Sequence, residues 1–92
     1  MSDVRRVVTI TNRRGLHARA SAKFVTLASE LPCEVRVQKD GGGDTVTGTS
    51  IMGLMMLGAA MGDAIVISGA GDGADHAVTV LAELVEGKFG ED

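Results

Sequence analysis

Hydrophobic and polar residues alternate in two stretches of the chain, and this pattern predicts β-strands. In the β-branched stretch 4–11, Val8 and Ile10 alternate with Thr9 and Thr11, which is typical of a strand with one buried face. Residues 33–38 alternate in the same way. A glycine-rich turn separates them from a short β-branched run, residues 45–47, and this combination predicts a hairpin. The compact apolar run at residues 64–68 predicts a fourth strand.

Three other stretches have the periodicity of helices. Hydrophobic residues recur at helical spacing between Ala18 and Leu31, and Pro32 ends that pattern. Ser50 precedes the apolar run 51–57, which is typical of a short helix with a hydroxyl cap. Residues 74–85 have one apolar stripe and predict a final amphipathic helix. The predicted order is therefore β-α-β-β-α-β-α, an α+β fold with one sheet and helices on one side.

Length and composition narrow the class of protein. The chain has 92 residues, and a domain usually has ~100–200, so we expect residues 1–92 to form one domain. A net charge of −3 and the absence of Trp and Tyr disfavour nucleic-acid binding, which uses basic surfaces and aromatic stacking. The single cysteine, Cys33, excludes an internal disulfide and fits a reducing compartment.

Targeting signals are also lacking in the sequence. The first residues have no apolar segment of the secretory type, and the longest apolar run, residues 51–61, is shorter than the ~20 residues that span a bilayer. We therefore expect a cytoplasmic protein that binds neither nucleic acid nor membranes.

The most informative chemistry lies in residues 15–19, where His17 stands between a loop and the first predicted helix. Unpaired amides and the helix dipole make a helix N-terminus a favourable place for a phosphate. In this chain the unpaired amides are those of Ala18, Arg19 and Ala20. The guanidinium of Arg19 adds charge-assisted donors. Because neutral histidine is a nucleophile, this pattern predicts a histidine that carries a phosphoryl group.

Less specific interpretations fit some of these residues. His17 could simply cap the helix or bind a backbone partner. A metal site is poorly supported because no Cys, Asp or second His lies at ligand spacing near His17, and we expect no cofactor. Residues 69–74 match a dinucleotide-binding string. The βαβ unit of that fold requires a strand after the helix, and here none is predicted after the last helix. We interpret them as a glycine-rich turn.

Two segments, residues 12–24 (NRRGLHARASAKF) and residues 50–58 (SIMGLMMLG), closely resemble the two signature segments of the histidine-containing phosphocarrier (HPr) family of the phosphoenolpyruvate-dependent phosphotransferase system. The resemblance implies an open-faced β-sandwich, with a four-stranded antiparallel sheet and three helices on one face. It also implies a carrier rather than an enzyme, which accepts a phosphoryl group from enzyme I and passes it to enzyme IIA proteins.

The same resemblance implies roles for individual residues. His17 would be phosphorylated on Nδ1, Arg19 would assist, and Ser50 would be a regulatory phosphorylation site for HPr kinase/phosphorylase, a kinase that many bacteria possess. Many members have proline after the arginine, where this chain has Ala20; the first helical turn therefore lacks the backbone restriction of proline. We expect a monomer, because a shuttle exposes one face to successive partners.

Ile51, Met52 and Met55 are candidate docking residues for those partners. Leu54 and Leu57 can supply the buried side of the short helix, and methionine suits adaptable docking surfaces; the alternative is that all five pack in the core. A phosphate on the preceding serine would add about −2 charge beside this patch and oppose acidic partner surfaces.

A protein of another class fits the same element order. A ferredoxin-like ligand-binding or interaction module, βαββαβ with a trailing helix, has nearly the same pattern. Within the HPr interpretation, the acceptor could belong to sugar transport or to a regulatory branch concerned with nitrogen or carbon, and both remain open at the level of sequence.

Overall fold

The computed structural model describes residues 3–91. Its elements, in chain order, are β1 (Asp3–Thr9), α1 (Ala18–Ser29), β2 (Val35–Lys39), β3 (Thr45–Thr47), α2 (Ile51–Met56), β4 (Ala64–Ala70), α3 (Ala74–Glu86) and a 3-10 turn (Lys88–Gly90). The predicted order β-α-β-β-α-β-α is confirmed. The predicted single domain over residues 1–92 includes residues 1, 2 and 92, which lie outside the described residues, and it stays a prediction.

The four strands form one antiparallel sheet in the order β1-β4-β2-β3. Val8 of β1 is paired with Ile65 of β4, and Val37 of β2 is paired with Ile67 on the other side of β4. Paired residues of an antiparallel sheet lie on the same face, and alternate residues of one strand also share a face. The side chains of Val8, Val37, Ile65 and Ile67 therefore meet on one face.

The helices cover that face and leave the opposite one open. α3 lies against β1 and β4, and α1 contacts both α2 and α3. The ring of Phe24 in α1 is fully buried. The buried residues of α3 recur at helical spacing and are Ala74, Ala77, Val78, Leu81, Ala82 and Val85. On the uncovered face Arg5 and Arg36 are exposed, so the predicted open-faced β-sandwich is confirmed.

Several strand ends differ from the prediction; β4, for example, ends at Ala70 rather than at residue 68. β1 ends at Thr9 rather than at residue 11, because the chain leaves the ladder at Ile10, whose amide donates to the loop carbonyl of Asp63 at 2.8 Å. β2 begins at Val35, so Cys33 precedes the strand. Its side chain is only partly buried, whereas the alternation predicted a buried one.

The first helix is also two residues shorter than its apolar pattern. α1 ends at Ser29, and the amide of Glu30 closes its last turn by donating to carbonyl oxygens of the preceding turn. The helical conformation is disfavoured for Leu31 because it precedes Pro32, whose ring crowds the preceding residue. The side chain of Leu31 still packs against the core from outside the helix.

After α3 the chain reverses through a left-handed turn. Lys88 and Phe89 have φ angles of 60° and 55°, in a region that costs side-chain-bearing residues free energy. Two interactions stabilise the turn: the ring of Phe89 is buried in the core, and Lys23 Nζ donates to the Phe89 carbonyl oxygen at 2.7 Å. The reversal brings Glu91 to the start of α1.

Candidate functional site

His17 occupies the N-cap of α1. Its backbone is extended, with φ −75° and ψ 179°, and its carbonyl oxygen accepts the first helical hydrogen bond, from the Ser21 amide at 2.9 Å. The ring Nδ1 accepts the amide N–H of Arg19 at 3.2 Å. The side chain is 21% exposed. His17 therefore caps the helix and at the same time keeps part of its ring accessible to solvent.

The first turn of α1 offers donors to an anion beside this ring. Within residues 3–91 the amides of Ala18 and Ala20 donate no hydrogen bond, and the Arg19 amide donates to Nδ1. The first turn contains no acidic residue, so no carboxylate on it offsets the positive end of the helix dipole. The Arg19 side chain is exposed at the same turn. A phosphoryl group on Nδ1 would lie among these donors.

The loop that presents His17 is held tightly against the segment that follows α2. Gly15 has φ +64°, and a Cβ atom at this position would lie 2.6 Å from the Ala59 carbonyl oxygen. The next amide, that of Leu16, donates to the same oxygen at 3.0 Å. Only glycine combines this backbone conformation with so close an approach. Leu16 directly precedes His17, and its buried side chain anchors this part of the loop in the core.

A carboxylate from the C-terminal segment faces the other side of the imidazole. Glu91 Oε2 lies 2.6 Å from His17 Nε2, and Glu91 Oε1 accepts from Asn12 Nδ2 at 3.1 Å. Asn12 is fully buried, and Nδ2 also donates to the Gly15 carbonyl oxygen at 2.9 Å. Asn12 thus joins the histidine loop to the C-terminal segment.

The surroundings of Glu91 act on its pKa in opposite directions. Partial burial is the largest single influence and raises the pKa, because desolvation disfavours the charged form. Hydrogen bonds from His17 and Asn12, together with the charges of His17 and Lys23, outweigh burial, and the pKa of Glu91 lies below its usual value. Glu91 is therefore ionised at neutral pH.

A second group of candidate residues lies at α2. Ser50 is the N-cap of this helix, and its Oγ accepts the Gly53 amide at 3.0 Å, so its capping role is confirmed. Leu54 is fully buried. The predicted docking residues are exposed: Ile51 by 40%, Met52 by 66% and Met55 by 39%. Their exposure excludes the alternative in which all apolar residues of α2 pack in the core.

Sequence reasoning missed four residues near His17 and α2. Met56, the last residue of α2, and Met61, in the segment after it, are 79% and 57% exposed. Asn12 and Glu91 complete the surroundings of His17, although they are separated from each other by most of the chain. One signal for the C-terminal segment was present: Phe89, one of two aromatic residues, stands after the last helix, and an aromatic residue there is expected to return to the core.

Residues 3–91 contain no group of three or more His, Cys, Asp or Glu side chains that could hold a metal ion. Within the same residues, none of the helices has both the length and the apolar character that crossing a bilayer requires.

Comparison with known proteins gives one consistent family. The family described as "PTS HPr component phosphorylation site" matches residues 4–87. A phosphocarrier protein NPr of Shewanella violacea is 41% identical, with 99% of this chain and 98% of the relative covered. A phosphocarrier protein HPr of Pseudomonas aeruginosa is 44% identical and covers 91% of this chain and 92% of its own length.

Solved structures show the same similarity in three dimensions. A crystal structure of HPr-C-His from Thermoanaerobacter tengcongensis has a TM-score of 0.86 and 40% sequence identity, with 100% of this chain and 99% of that chain covered. An HPr dimer from the same organism has a TM-score of 0.73 and 42% identity, with 91% and 94% covered. These matches favour the phosphocarrier interpretation over the ferredoxin-like alternative.

Proposed function

The chain belongs to the HPr family of phosphocarrier proteins of the phosphotransferase system, and we propose that it accepts a phosphoryl group from enzyme I on Nδ1 of His17 and passes it to enzyme IIA proteins. Members of the family are carriers and not enzymes. The observation that carries the proposal is the position of His17, whose Nδ1 faces the amide end of α1 at 3.2 Å.

The transfer step needs only a lone pair at Nδ1 and stabilisation of the phosphoryl oxygens. The lone pair attacks phosphorus, a new N–P bond forms, and the bond between phosphorus and the donor atom of enzyme I breaks and leaves its electron pair on the donor. The amides of Ala18, Arg19 and Ala20 are donors for the phosphoryl oxygens at the positive end of α1. The exposed guanidinium of Arg19 adds charge-assisted hydrogen bonds.

The same site must also release the phosphoryl group. The first turn has a few amides and one exposed arginine, which is modest stabilisation compared with a closed phosphate-binding pocket. Tighter binding of the phosphorylated state would slow transfer to the acceptor, since stabilising an intermediate raises the barrier to leaving it. The open arrangement around His17 therefore suits a relay.

We assign partner docking to the exposed apolar surface of α2, formed by Ile51, Met52 and Met55. α1 and α2 are in contact, and the loop before His17 packs on the segment after α2 through the hydrogen bond between Leu16 and Ala59. A partner that covers α2 thus also lies next to the start of α1. Exposed methionines adapt to successive partners of different shape.

Ser50 is proposed as a regulatory phosphorylation site for HPr kinase/phosphorylase. Its Oγ caps α2, and the serine is partly exposed. A phosphate on Oγ would be tolerated by the helix N-terminus, but it would place about −2 charge beside the docking surface and weaken binding of an acidic partner. The Ser50→Asp variant should therefore accept phosphoryl groups from enzyme I more slowly than the parent.

We further propose that the protein is a cytoplasmic monomer. A carrier that presents one face to enzyme I and then to an enzyme IIA protein cannot bury that face permanently against a second copy. Sedimentation equilibrium tests the proposal, with a single species near the chain mass of 9.5 kDa as the expected result. A stable dimer of twice that mass would contradict it.

Phosphorylation in a purified system tests the central assignment. Incubation with enzyme I and phosphoenolpyruvate should give one acid-labile, base-stable phosphate per chain. His17→Ala should abolish it, and the matched control His76→Ala should leave it unchanged, because His76 is an exposed residue of α3. Equal phosphate in the parent and in His17→Ala would place the acceptor elsewhere. Transfer from the phosphorylated protein to enzyme IIA proteins of the sugar and nitrogen branches identifies the acceptor.

A further inference from the structure

We propose that Glu91 is a positioning residue for His17: its carboxylate keeps the proton of the neutral ring on Nε2 and so leaves Nδ1 unprotonated, with a lone pair that can exchange its hydrogen bond from the Arg19 amide for a bond to phosphorus. The inference rests on the proposed function of His17. It assigns a role to a residue that lies at the end of the chain and outside both signature segments.

The two ring nitrogens of His17 have opposite partners. Nδ1 faces the amide N–H of Arg19, which can only donate, and Nε2 faces Oε2 of Glu91, which can only accept when ionised. Both contacts are satisfied by one neutral tautomer, with hydrogen on Nε2. The other tautomer would bring an N–H at Nδ1 against the N–H of Arg19 and a lone pair against the carboxylate.

The contact with Glu91 has the length of a strong hydrogen bond. The Nε2–Oε2 distance is 2.6 Å, slightly shorter than the ~2.7–2.9 Å of charge-assisted N–H···O bonds. Both side chains are about four-fifths buried, with 21% and 19% of their surfaces exposed. Water therefore competes weakly for the ring proton. The lowered pKa of Glu91 keeps the carboxylate ionised at neutral pH.

The position of the Glu91 carboxylate is fixed by several elements of the fold. Oε1 accepts from Nδ2 of the buried Asn12, which orients the plane of the carboxylate. The turn before Glu91 is fixed by the buried ring of Phe89. Lys23 of α1 also donates a hydrogen bond to the carbonyl oxygen of Phe89. The carboxylate is thus held in one place.

This arrangement lets phosphoryl transfer proceed without moving a proton. When the N–P bond forms at Nδ1, the ring gains positive charge, and the proton stays on Nε2 as a donor to Glu91. When the acceptor removes the phosphoryl group, the N–P bond breaks and its electron pair returns to Nδ1. The ring is then neutral in the starting tautomer, so the carboxylate stabilises the charged ring in both directions of transfer.

Variants of Glu91 separate this role from a purely structural one. Glu91→Ala removes the acceptor at Nε2, whereas Glu91→Gln retains an amide oxygen that can accept the Nε2 proton without a charge. Glu86→Ala is the matched control, since Glu86 is a glutamate at the end of α3 with an exposed ion pair to Arg6 at 3.4 Å. Amide NMR spectra of each variant, compared with those of the parent, test whether the fold is retained.

Two measurements are made on these proteins. The ring ¹⁵N chemical shifts of His17, recorded in alkaline buffer without phosphate donor, report the tautomer. The initial rate of phosphorylation by enzyme I and phosphoenolpyruvate reports function. We expect the Nε2–H tautomer in the parent, in Glu86→Ala and in Glu91→Gln. Glu91→Ala should show a mixture of tautomers and a rate lower by roughly tenfold or more, in analogy with the loss of a carboxylate that orients a metal-bound histidine.

Unchanged tautomer populations in Glu91→Ala would overturn the inference, and so would a parent-like rate in that variant. A failure of the proposed function gives a different result: phosphate is then absent from the parent or persists in His17→Ala. The tautomer shift in Glu91→Ala is measured on the unphosphorylated protein and remains a separate test of the contact.

Discussion

Replacing Gly15 by alanine tests how the histidine loop is held. The backbone at this residue has φ +64°, and alanine in this region costs roughly 1–2 kcal/mol. The new Cβ would also lie 2.6 Å from the Ala59 carbonyl oxygen and 2.8 Å from the Ala60 Cα. Both are backbone atoms, so the loop itself must shift, and overpacking of this kind costs roughly 1–3 kcal/mol more.

Gly58→Ala is a matched control for this substitution. Gly58 has φ +67°, nearly the same as Gly15, but a Cβ atom there meets nothing within 4 Å. The gain from a less flexible unfolded chain is common to both variants and cancels in the comparison. We therefore expect the free energy of unfolding to fall by about 1–3 kcal/mol more in Gly15→Ala than in Gly58→Ala, out of the ~5–15 kcal/mol of a typical domain.

Urea denaturation of the parent and both variants measures this difference. The rate of phosphorylation by enzyme I should also fall in Gly15→Ala, because the shifted loop carries the N-cap histidine, and it should stay near the parent rate in Gly58→Ala. Equal destabilisation of the two variants would refute the reasoning, since it would mean that the contact with Ala59 and Ala60 adds nothing to the cost of the backbone conformation.

Three further outcomes are expected. Phe89→Ala should lower the free energy of unfolding by about 3–5 kcal/mol in urea denaturation, because the ring is buried in the core; a loss below ~1 kcal/mol would contradict the role of this ring. Ser50→Ala should cost about 1 kcal/mol by the same assay, since it removes the acceptor for the Gly53 amide, and an unchanged stability would show that the cap contributes nothing. The pKa of Asp63 is lowered mainly by the hydrogen bond from the Ala60 amide. Burial acts in the opposite direction, and Lys39 lowers the pKa further. The stabilisation from Asp63 is therefore fully present above its unfolded pKa near 3.8 and is lost as pH falls through the lower folded value. The free energy of unfolding of Asp63→Asn should therefore fall less between pH 4 and pH 2 than that of the parent. An identical pH profile would exclude the effect.

The parts of the structure that the sequence predicted are those set by neighbouring residues. Alternation in β1 and β2 places Val8 and Val37 on the covered face because side chains of a strand alternate between faces. Ser50 caps α2 because the hydroxyl and the amide that it accepts are only three residues apart. His17 and Arg19 likewise lie on one helical turn, so their proximity depends only on the start of α1.

The residues that the sequence did not reveal depend on contacts between distant segments. Asn12 and Glu91 are brought together by the left-handed turn after α3, and residues with side chains rarely adopt the φ angles of this turn. Local propensity therefore gives no reason to expect such a turn. The exposure of Met56 depends on how α2 packs on its neighbours, which the apolar run 51–57 alone does not specify.

The ring nitrogen that carries phosphorus tests the account most directly. We expect the protein labelled with ¹⁵N-histidine and phosphorylated by enzyme I and phosphoenolpyruvate to show coupling between ³¹P and Nδ1 of His17, while the Nε2 resonance keeps its proton contact with Glu91. Coupling of ³¹P to Nε2, or phosphate on any other residue, would contradict the assignment of Nδ1 as the nucleophile.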